Sequence, residues 1–571
     1  MVSLGSGFRP RLPLVTTPEP WCSWFDLLAL AAMAEPSLVC VATYFLWVVL
    51  RPYFVKTALD NLPGPRSPSI LFGNLKQLYD KQGWAFHRRL EQYGPISVLH
   101  GRFGRKIVYV FDPKAMHAIA VKEQYVYDEA RWFLRVNSLV LGPGLLATTG
   151  EQHRQQRKML NPAFNINHMR EMIPIFYEVT HKVGFLWIIL KDGPKEINMV
   201  NWMGRTAVEL IGQSGLGYSF DSLAEENSDT YGGALKLLVP SLYSLAAYLQ
   251  FLPYIEAAIP LSLRRYLAER IPHKGFQQLR RVVNTLHDRA LQVYTEKKSA
   301  LSKGDEGARE LFREGKDLMS IMLRANMAAE DNDRLSDEEL IGQMSTLTTA
   351  AMDTTSNALS MILDLLAKHP AAQTRLRREL LEARKSNGGK DLGYDELVSL
   401  PYLDAVCRET LRLFPPALFR FRETREDVVL PLSEPVRGRD GTMMHEVPIP
   451  KDTSVFVGIY SSNTRKALWG EDAYEWKPER WLSRLPEAVM DAKIPGVYSN
   501  LMTFWGGGRA CIGFKFSQLE MKVVLAVLLS TFTFEHTENE IKWNLAGIIY
   551  PSVGDEKSPS LPLKVGLVAT L

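Results

Sequence analysis

The ten residues Phe504-Trp-Gly-Gly-Gly-Arg-Ala-Cys-Ile-Gly513, near the C-terminus, combine four glycines with one cysteine. Glycine lets a backbone turn sharply, so a loop of this composition can fold tightly beneath a flat ligand. The following residues predict an apolar helix, which puts Cys511 at a helix N-terminus. There the amides of Ile512 and Gly513 favour a thiolate, and a thiolate is a good metal ligand. The alternative for a lone cysteine is an inert buried thiol.

The chain around this loop has an ordinary globular balance, with 571 residues, 46% of them hydrophobic and 23% charged. That balance excludes a disordered chain and a polytopic membrane protein. Neither a Gly/Ser-rich linker nor an internal repeat divides the chain, so one large domain over residues 69–571 is favoured. The formal net charge of +4 is spread along the chain, which argues against a nucleic-acid partner.

The cysteines also limit the function classes. There are four, Cys22, Cys40, Cys407 and Cys511, and no two of them form a C-x-x-C pair. Neither a disulfide framework nor a zinc knuckle can be built from them, which fits a reducing compartment.

The N-terminal region predicts a membrane anchor. Residues 33–56 are mostly apolar, and the basic flank of Arg51 and Lys56 favours a cytosolic body after one crossing. A buried core helix and a signal peptide are the alternatives. Residues 1–32 form an extension of doubtful status, and Met33 as the native start is a hypothesis. Residues 57–68 hold three prolines and are expected to form a stiff hinge.

Two helices stand out in the body, which otherwise shows a mainly helical pattern with short β-rich pieces. One begins at the capping box Ser336-Asp-Glu-Glu339 and ends before Pro370, about 32 residues and roughly 48 Å in all. The middle of its apolar stripe is small and hydroxylated, which predicts that something lies against it. The other runs from Pro401 to Leu413 and carries Glu409-Thr-Leu-Arg412.

The motif resembles a known family. Positions 504, 507, 509, 511 and 513 match the F-x-x-G-x-R-x-C-x-G signature of the haem-thiolate monooxygenases, the cytochrome P450 superfamily. The resemblance extends over roughly residues 60 to 560 and is closest to the membrane-anchored microsomal type of fungi. It implies a mainly α fold with small β-sheets, preceded by one N-terminal transmembrane helix. It also implies haem b (heme b, iron protoporphyrin IX), held between the long helix and the cysteine loop.

The resemblance assigns roles to individual residues. Cys511 would be the iron ligand, and Phe504, Gly507, Arg509 and Gly513 would complete the cofactor-binding loop. Glu409 and Arg412, with Arg480 from Pro478-Glu-Arg-Trp481, would form a buried triad that holds this loop. The bottom-up alternative for Glu409 and Arg412 is a solvated surface pair.

Four basic or ring side chains are implied at the haem propionates: His153, Arg157, Arg422 and Arg509. His153 replaces the tryptophan usual in the family, which keeps a ring N–H donor but adds a charge that pH could control. A plain surface helix is the alternative for His153 and Arg157. Arg420 and Arg425 lie close enough in sequence to compete with Arg422 for its role.

The long helix carries Ala350-Ala-Met-Asp-Thr-Thr355, which resembles the oxygen-binding groove of the family. Asp353 and Thr354 would be the catalytic acid and alcohol, and Ala351 replaces the usual glycine. The alternative for Thr354 is a hydroxyl that only bonds back to the i−4 carbonyl and bends the helix.

These assignments imply a monooxygenase that hydroxylates or epoxidises a lipophilic small molecule, in secondary metabolism, with O2 as oxidant. Electrons would come from NADPH through a separate NADPH-cytochrome P450 reductase at the endoplasmic reticulum membrane. An isomerase or dehydratase that works without O2, and a non-catalytic haem-binding protein, are the alternatives; Asp353 with Thr354 argues against both. The substrate-contacting stretches would be residues 125–148, 235–260, 415–421 and 545–552.

Overall fold

The computed structural model describes residues 54–183, 190–191, 193–220, 230–249, 259–303, 316–556 and 558–568, with residues 43, 47, 50, 252 and 255. The N-terminal extension and nearly all of the predicted anchor lie outside the described residues. Within the described ranges, no helix is both long and apolar enough to cross a membrane.

Helices dominate the fold, as the sequence predicts. Those of ten or more residues in the described ranges are α1 (Arg131–Leu141), α2 (Gly150–Leu160), α3 (Ile166–Val183), α4 (Met199–Leu210), α5 (Thr230–Leu249), α6 (Leu261–Arg270), α7 (Lys274–Lys303), α8 (Leu318–Ala328), α9 (Asp337–Lys368), α10 (Pro370–Ser386), α11 (Pro401–Leu413) and α12 (Phe514–Thr531). Shorter helices span Leu75–Leu78, Trp84–Arg89, Pro113–His117, Tyr394–Ser399, Ile459–Thr464, Lys466–Trp469 and Glu487–Asp491.

The strands form four small sheets. They are β1 (Ile96–His100), β2 (Lys106–Val110), β3 (Tyr127–Asp128), β4 (Lys195–Asn198), β5 (Phe419–Thr424), β6 (Val428–Arg437), β7 (Met443–Ile449), β8 (Ser454–Gly458), β9 (Phe532–His536), β10 (Ile541–Asn544), β11 (Tyr550–Val553) and β12 (Pro562–Leu567). The largest sheet has the order β1-β2-β8-β5-β3, and β4-β12-β9, β6-β7 and β10-β11 form the others. In the largest sheet only the β2-β8 pair is parallel.

The long helix α9 forms where the sequence predicts it. The Ser336 hydroxyl accepts a hydrogen bond from the Glu339 amide, and the Glu339 carboxylate accepts one from the Ser336 amide, so the capping box is closed. The helix ends at Lys368, two residues before Pro370. Residues 340–348 and 355–366 are buried, whereas Ala350 is exposed. The helix therefore crosses the core but has an accessible segment in its middle.

The predicted triad is present and buried. Arg412 pairs with Glu409 through two hydrogen bonds, 2.9 Å from Nε to Oε2 and 2.8 Å from Nη2 to Oε1, and both side chains are 0% exposed. Arg480 completes it, with Nε 3.5 Å from Glu409 Oε1. The alternative of a solvated surface pair is therefore wrong.

The triad connects to the cysteine loop through Asn463. Arg412 donates to the Asn463 carbonyl at 3.2 Å, while the Asn463 side chain accepts from the Met502 amide and donates to the Thr503 hydroxyl. Thr503 in turn donates to the Leu411 carbonyl at 2.8 Å. Thr503 directly precedes the loop, so α11 positions the start of the loop by hydrogen bonds.

Replacing Glu409 by Gln leaves the Arg412 cation buried without its counter-charge. We expect Glu409→Gln to lower the free energy of unfolding by about 3–5 kcal/mol, measured by urea denaturation followed by circular dichroism. Glu479→Gln is the matched control, because Glu479 pairs with Arg375 with its side chain 48% exposed, and should cost less than about 1 kcal/mol. Equal effects of the two substitutions would contradict this account of the triad.

Candidate active site

The cysteine loop has a fixed backbone. The Cys511 amide donates to the Phe504 carbonyl at 2.9 Å, and the Ala510 amide donates to the Gly507 carbonyl at 3.1 Å. Gly507 has φ +66°, and a Cβ there would lie 1.9 Å from the Ala120 carbonyl oxygen. Only glycine is accommodated at this position, as the sequence predicts.

Gly513 differs from that expectation. Its φ is −87°, and a Cβ would meet only the Phe164 ring, at an ordinary contact distance of 3.9 Å. The protein itself therefore gives no steric reason for glycine at 513. Phe504 packs edge-on against Tyr498 and tilted against Phe514, with ring centroids 5.4 and 6.2 Å apart.

The two cysteines of the described ranges differ in their surroundings. Cys407 is 1% exposed, and burial raises the pKa of its thiol to about 12. Cys511 is accessible to solvent, although the protein around its sulfur still raises its pKa by desolvation. A hydrogen bond with the Gly513 backbone and the charge of Arg157 act in the opposite direction, towards the thiolate. Cys407 fits an inert thiol and Cys511 a ligand.

Three of the residues predicted at the propionates lie around this loop. Arg157 on α2 donates to the Ala510 carbonyl at 2.5 Å, and Arg509 donates to the Thr148 carbonyl at 2.8 Å. His153 lies one helical turn before Arg157 and is 8% exposed. Hydrogen bonds from arginine side chains to backbone carbonyls thus connect α2 and the segment before it to the cysteine loop. The alternative of a plain surface helix for His153 and Arg157 is therefore wrong.

His153 is neutral in this setting. Burial lowers the pKa of its ring to about 3, and the charges of Arg509 and Arg157 push it in the same direction, while Glu129 opposes them. At physiological pH the ring is therefore a neutral hydrogen-bonding group, like the indole it replaces. This environment disfavours the added charge that the sequence allows at this position.

Arg422 is distinguished from its neighbours by burial. Its side chain is 2% exposed, against 28% for Arg420 and 24% for Arg425. Its Nη1 lies 2.7 Å from Glu129 Oε2, and its guanidinium stacks over the Trp505 ring at 4.6 Å. Its Nη2 is buried and has no hydrogen-bond partner among the described residues. A donor in that state fits a carboxylate ligand.

The accessible middle of α9 carries the predicted acid and alcohol. Thr354 Oγ1 donates to the Ala350 carbonyl at 2.7 Å, the back-bond that the structural alternative describes. Asp353 and Thr354 are both half-buried. Burial raises the pKa of Asp353 to about 7, and the charge of Lys236 acts against that rise. Asp353 can therefore gain and lose a proton near neutral pH.

Comparison with known proteins settles the family. The model of the family described as Cytochrome P450 matches residues 62–554, most of the chain. The chain belongs to the cytochrome P450 family. The P450 fold is also found in a crystal structure of a cytochrome P450 (CYP102L1), with a TM-score of 0.67 and 22% identity over 89% of this chain and 100% of that one.

Curated P450 relatives are closer in sequence. Cytochrome P450 monooxygenase 91 of Postia placenta is 49% identical over 93% of this chain and 98% of its own length. Ganoderic acid synthetase of Ganoderma lucidum is 48% identical over 94% of this chain and 100% of its own length. The chain is accordingly an oxidoreductase of the P450 monooxygenase type.

P450 proteins bind haem b through a cysteine thiolate, and the residues present here fit that group. Cys511 is the accessible cysteine in the described ranges, and Gly507 brings the loop backbone into contact with residue 120. The orphaned Nη2 of Arg422 offers a buried donor for a propionate. The exposed Ala350 leaves room against α9.

Several residues of the site escape sequence reasoning. Glu129 is 3% exposed beside Arg422, and Trp505 is 4% exposed with φ +60°. Glu520 on α12 is 1% exposed; burial raises the pKa of its carboxyl well above the ordinary value, while a hydrogen bond with Thr355 opposes the rise. Trp505 stands at a variable position of the motif, and no local pattern marks Glu129 or Glu520 as buried.

Replacing Cys511 by Ser removes the thiolate while keeping the shape of the side chain. The reduced, carbon-monoxide-bound Cys511→Ser protein should lose the thiolate-type Soret band, because Cys407 is buried elsewhere and cannot substitute. Cys407→Ser is the matched control and should keep the band. A thiolate-type band in Cys511→Ser would show that the iron ligand is misassigned.

Proposed function

We propose that this P450 inserts one atom of O2 into a lipophilic small molecule, as a hydroxylation or an epoxidation. The observation that carries the proposal is the pairing of Asp353 and Thr354 in the accessible middle of an otherwise buried helix. A non-catalytic haem-binding protein does not need a carboxyl that titrates near pH 7, such as Asp353, next to the hydroxyl of Thr354. An isomerase or dehydratase on this fold would also use such an acid, so consumption of O2 is the property that separates those reactions from this one.

The cofactor would be held by residues already described. Cys511 would ligate the iron, and Arg422, Arg509, Arg157 and His153 would bind the propionates. Haem b ligated by a thiolate supplies the chemistry that activates dioxygen. The neutral His153 would donate one hydrogen bond from its ring N–H.

Proton handling would fall to the middle of α9. Thr354 already donates its proton to the Ala350 carbonyl, so its oxygen is free to accept a hydrogen bond from a water and hold it near the reactants. Asp353 would exchange protons between that water and the solvent, because its pKa of about 7 lets it take either state. Ala351 replaces the usual glycine with a side chain that is still small.

The electrons would come from NADPH through a separate flavin reductase. The sequence has no G-x-G-x-x-G fingerprint for binding a dinucleotide. Arg154 and Lys158 on α2 are 73% and 75% exposed at their side chains, whereas His153 and Arg157 on the same helix face the cysteine loop. Each is ion-paired at the surface, Arg154 with Glu151 and Lys158 with Asp333, and would exchange that partner for a carboxylate of an acidic docking partner.

The substrate would lie against apolar surfaces. Leu418, Leu545 and Ile549, from two of the predicted substrate-contacting stretches, pack in one cluster with Met361 of α9. Trp132, from a third stretch, packs edge-on against Phe421 with centroids 5.0 Å apart. A lipophilic ligand suits these surroundings. One relative is named for ganoderic acid, so that compound belongs in a screen for spectral shifts of the purified protein.

We further propose that residues 33–56 anchor the protein in the endoplasmic reticulum membrane with the catalytic domain in the cytosol. Trp47, Leu50 and Phe54 are helical and exposed, and their spacing puts them on one helix face. Leu263, Tyr266 and Leu267 of α6 are also exposed apolar or aromatic groups. With the arginines of that helix, they suit the membrane interface.

Thr354→Val tests the proposed function. It keeps the shape of the side chain and removes the hydroxyl, so NADPH oxidation should continue while product per NADPH falls several-fold and hydrogen peroxide rises. The measurement is the ratio of product to NADPH consumed. Thr348→Val is the matched control, because Thr348 makes the same back-bond to Met344 at 2.7 Å but is 0% exposed.

The control should keep the wild-type ratio of product to NADPH. An unchanged ratio in Thr354→Val would reduce Thr354 to a helix-bending residue. Turnover of substrate by the wild type without consumption of O2 or NADPH would replace the monooxygenase by the isomerase or dehydratase alternative.

Deletion of N-terminal segments tests the anchor. A chain that starts at Met33 should still sediment with microsomal membranes and bind haem, because residues 33–56 supply the apolar segment. A chain that starts at residue 57 should sediment several-fold less. Loss of sedimentation on removing residues 1–32 alone would place the anchor upstream of Met33.

A further inference from the structure

Glu129 is a buried carboxylate inside the cluster of cations proposed to bind the propionates. Its side chain is 3% exposed, with Oε2 2.7 Å from Arg422 Nη1 and Oε1 3.0 Å from Arg420 Nη2. Arg509 also acts on it electrostatically. A carboxylate in this place repels an anionic ligand such as a propionate. Its presence there therefore needs an explanation.

The backbone holds Glu129 firmly. Strand β3 pairs with β5, with Tyr127 opposite Thr424 and Asp128 opposite Glu423. The Glu129 amide donates to Asp128 Oδ1 at 2.8 Å, and its carbonyl accepts from Arg425 Nη2 at 2.6 Å. The carboxylate therefore reaches Arg422 from a rigid position.

Glu129 is ionised there. Burial alone would raise the pKa of its carboxyl, but the charges of Arg422, Arg420 and Arg509 outweigh burial and hold the pKa below its usual range. The geometry agrees, because two guanidinium groups each lie within hydrogen-bonding distance of a different carboxylate oxygen.

The contacts of Arg422 show what Glu129 does to it. Nη1 is engaged by Glu129 and by the Phe421 carbonyl at 2.8 Å, and the guanidinium plane rests on Trp505. With Nη1 and the plane fixed, Nη2 is the group left to meet a ligand, and it has no hydrogen-bond partner among the described residues. Glu129 thus fixes the direction of that donor.

We propose that Glu129 is a positioning residue of the haem site, which aims Arg422 at a propionate and offsets part of the positive charge there. The inference rests on the proposed placement of the propionates. Reduction adds an electron to the haem, and a buried negative charge nearby disfavours that addition. Glu129 therefore lowers the reduction potential of the bound haem.

The test is the reduction potential of the ferric–ferrous couple in the purified holoprotein, measured by spectroelectrochemical titration. Glu129→Gln keeps the shape and removes the charge, so the potential should shift to a more positive value. Glu129→Asp keeps the charge and should stay close to the wild-type potential. Glu423→Gln is the matched control, because Glu423 pairs with Arg425 and Arg131 and lies on the opposite face of β5 from Arg422.

An unshifted potential in Glu129→Gln with haem bound overturns the inference. So does an equal shift in Glu129→Asp or in Glu423→Gln, since neither change removes this charge from the site. Loss of haem from both Glu129 variants, together with loss of the wild-type circular dichroism spectrum, assigns the residue to folding alone and likewise overturns it.

A separate variant distinguishes this inference from the propionate placement on which it rests. Arg509→Met should release haem faster to an apomyoglobin acceptor if the propionates lie where proposed. An unchanged release rate would place the propionates elsewhere and remove the basis of the inference. Faster release together with an unshifted potential in Glu129→Gln would refute the role of Glu129 alone.

Discussion

The buried ion pair between Glu409 and Arg412 is the constraint on which the position of the cysteine loop depends. A guanidinium removed from water needs its donors satisfied, and Arg412 meets that need with Glu409 and with the carbonyls of Asn463, Ala473 and Glu475. Segments far apart in sequence therefore converge on one side chain. Because Asn463 also binds Met502 and Thr503, the same requirement sets where the loop begins.

Burial affects the charge of each ionisable group in the site differently. The arginines stay cationic because carbonyls, Glu129 and the Trp505 ring surround them. His153, in the same cluster, becomes neutral, since burial and neighbouring cations both disfavour its charged form. On α9, burial raises the pKa of Asp353 to about 7, although the charge of Lys236 acts against that rise. Burial thus leaves fixed cations and a neutral donor around the cysteine loop, and a titratable acid on α9.

Different parts of helix α9 serve the fold and the chemistry. Residues 340–348 and 355–366 pack into the core and hold the helix in place, while the middle between them is left accessible with small and hydroxylated side chains. The back-bond of Thr354 to Ala350 does not compete with the proposed role. The hydroxyl proton is used in a hydrogen bond within the helix, and the hydroxyl oxygen can still accept a hydrogen bond from a ligand.

Much of this fold can be predicted from the sequence, because the features concerned are local. A capping box, a proline and an apolar stripe set the ends and the buried face of α9 within a few residues of each other. The steric need for glycine at 507 and the spacing of Glu409 from Arg412 also lie in short segments. The motif around Cys511 identified the family, which the comparison with known proteins confirms.

Burial and long-range partners were set by the tertiary structure, because the neighbours of a residue in sequence do not determine how much of its side chain is exposed to water. Glu129 lies 291 and 293 positions from Arg420 and Arg422 in the chain, yet contacts both. Asn463 has no sequence pattern that links it to Arg412. The neutral state of His153 and the titration of Asp353 near neutral pH likewise follow from desolvation. Residue type and spacing determined which groups could serve this site, whereas packing decided their charges and partners.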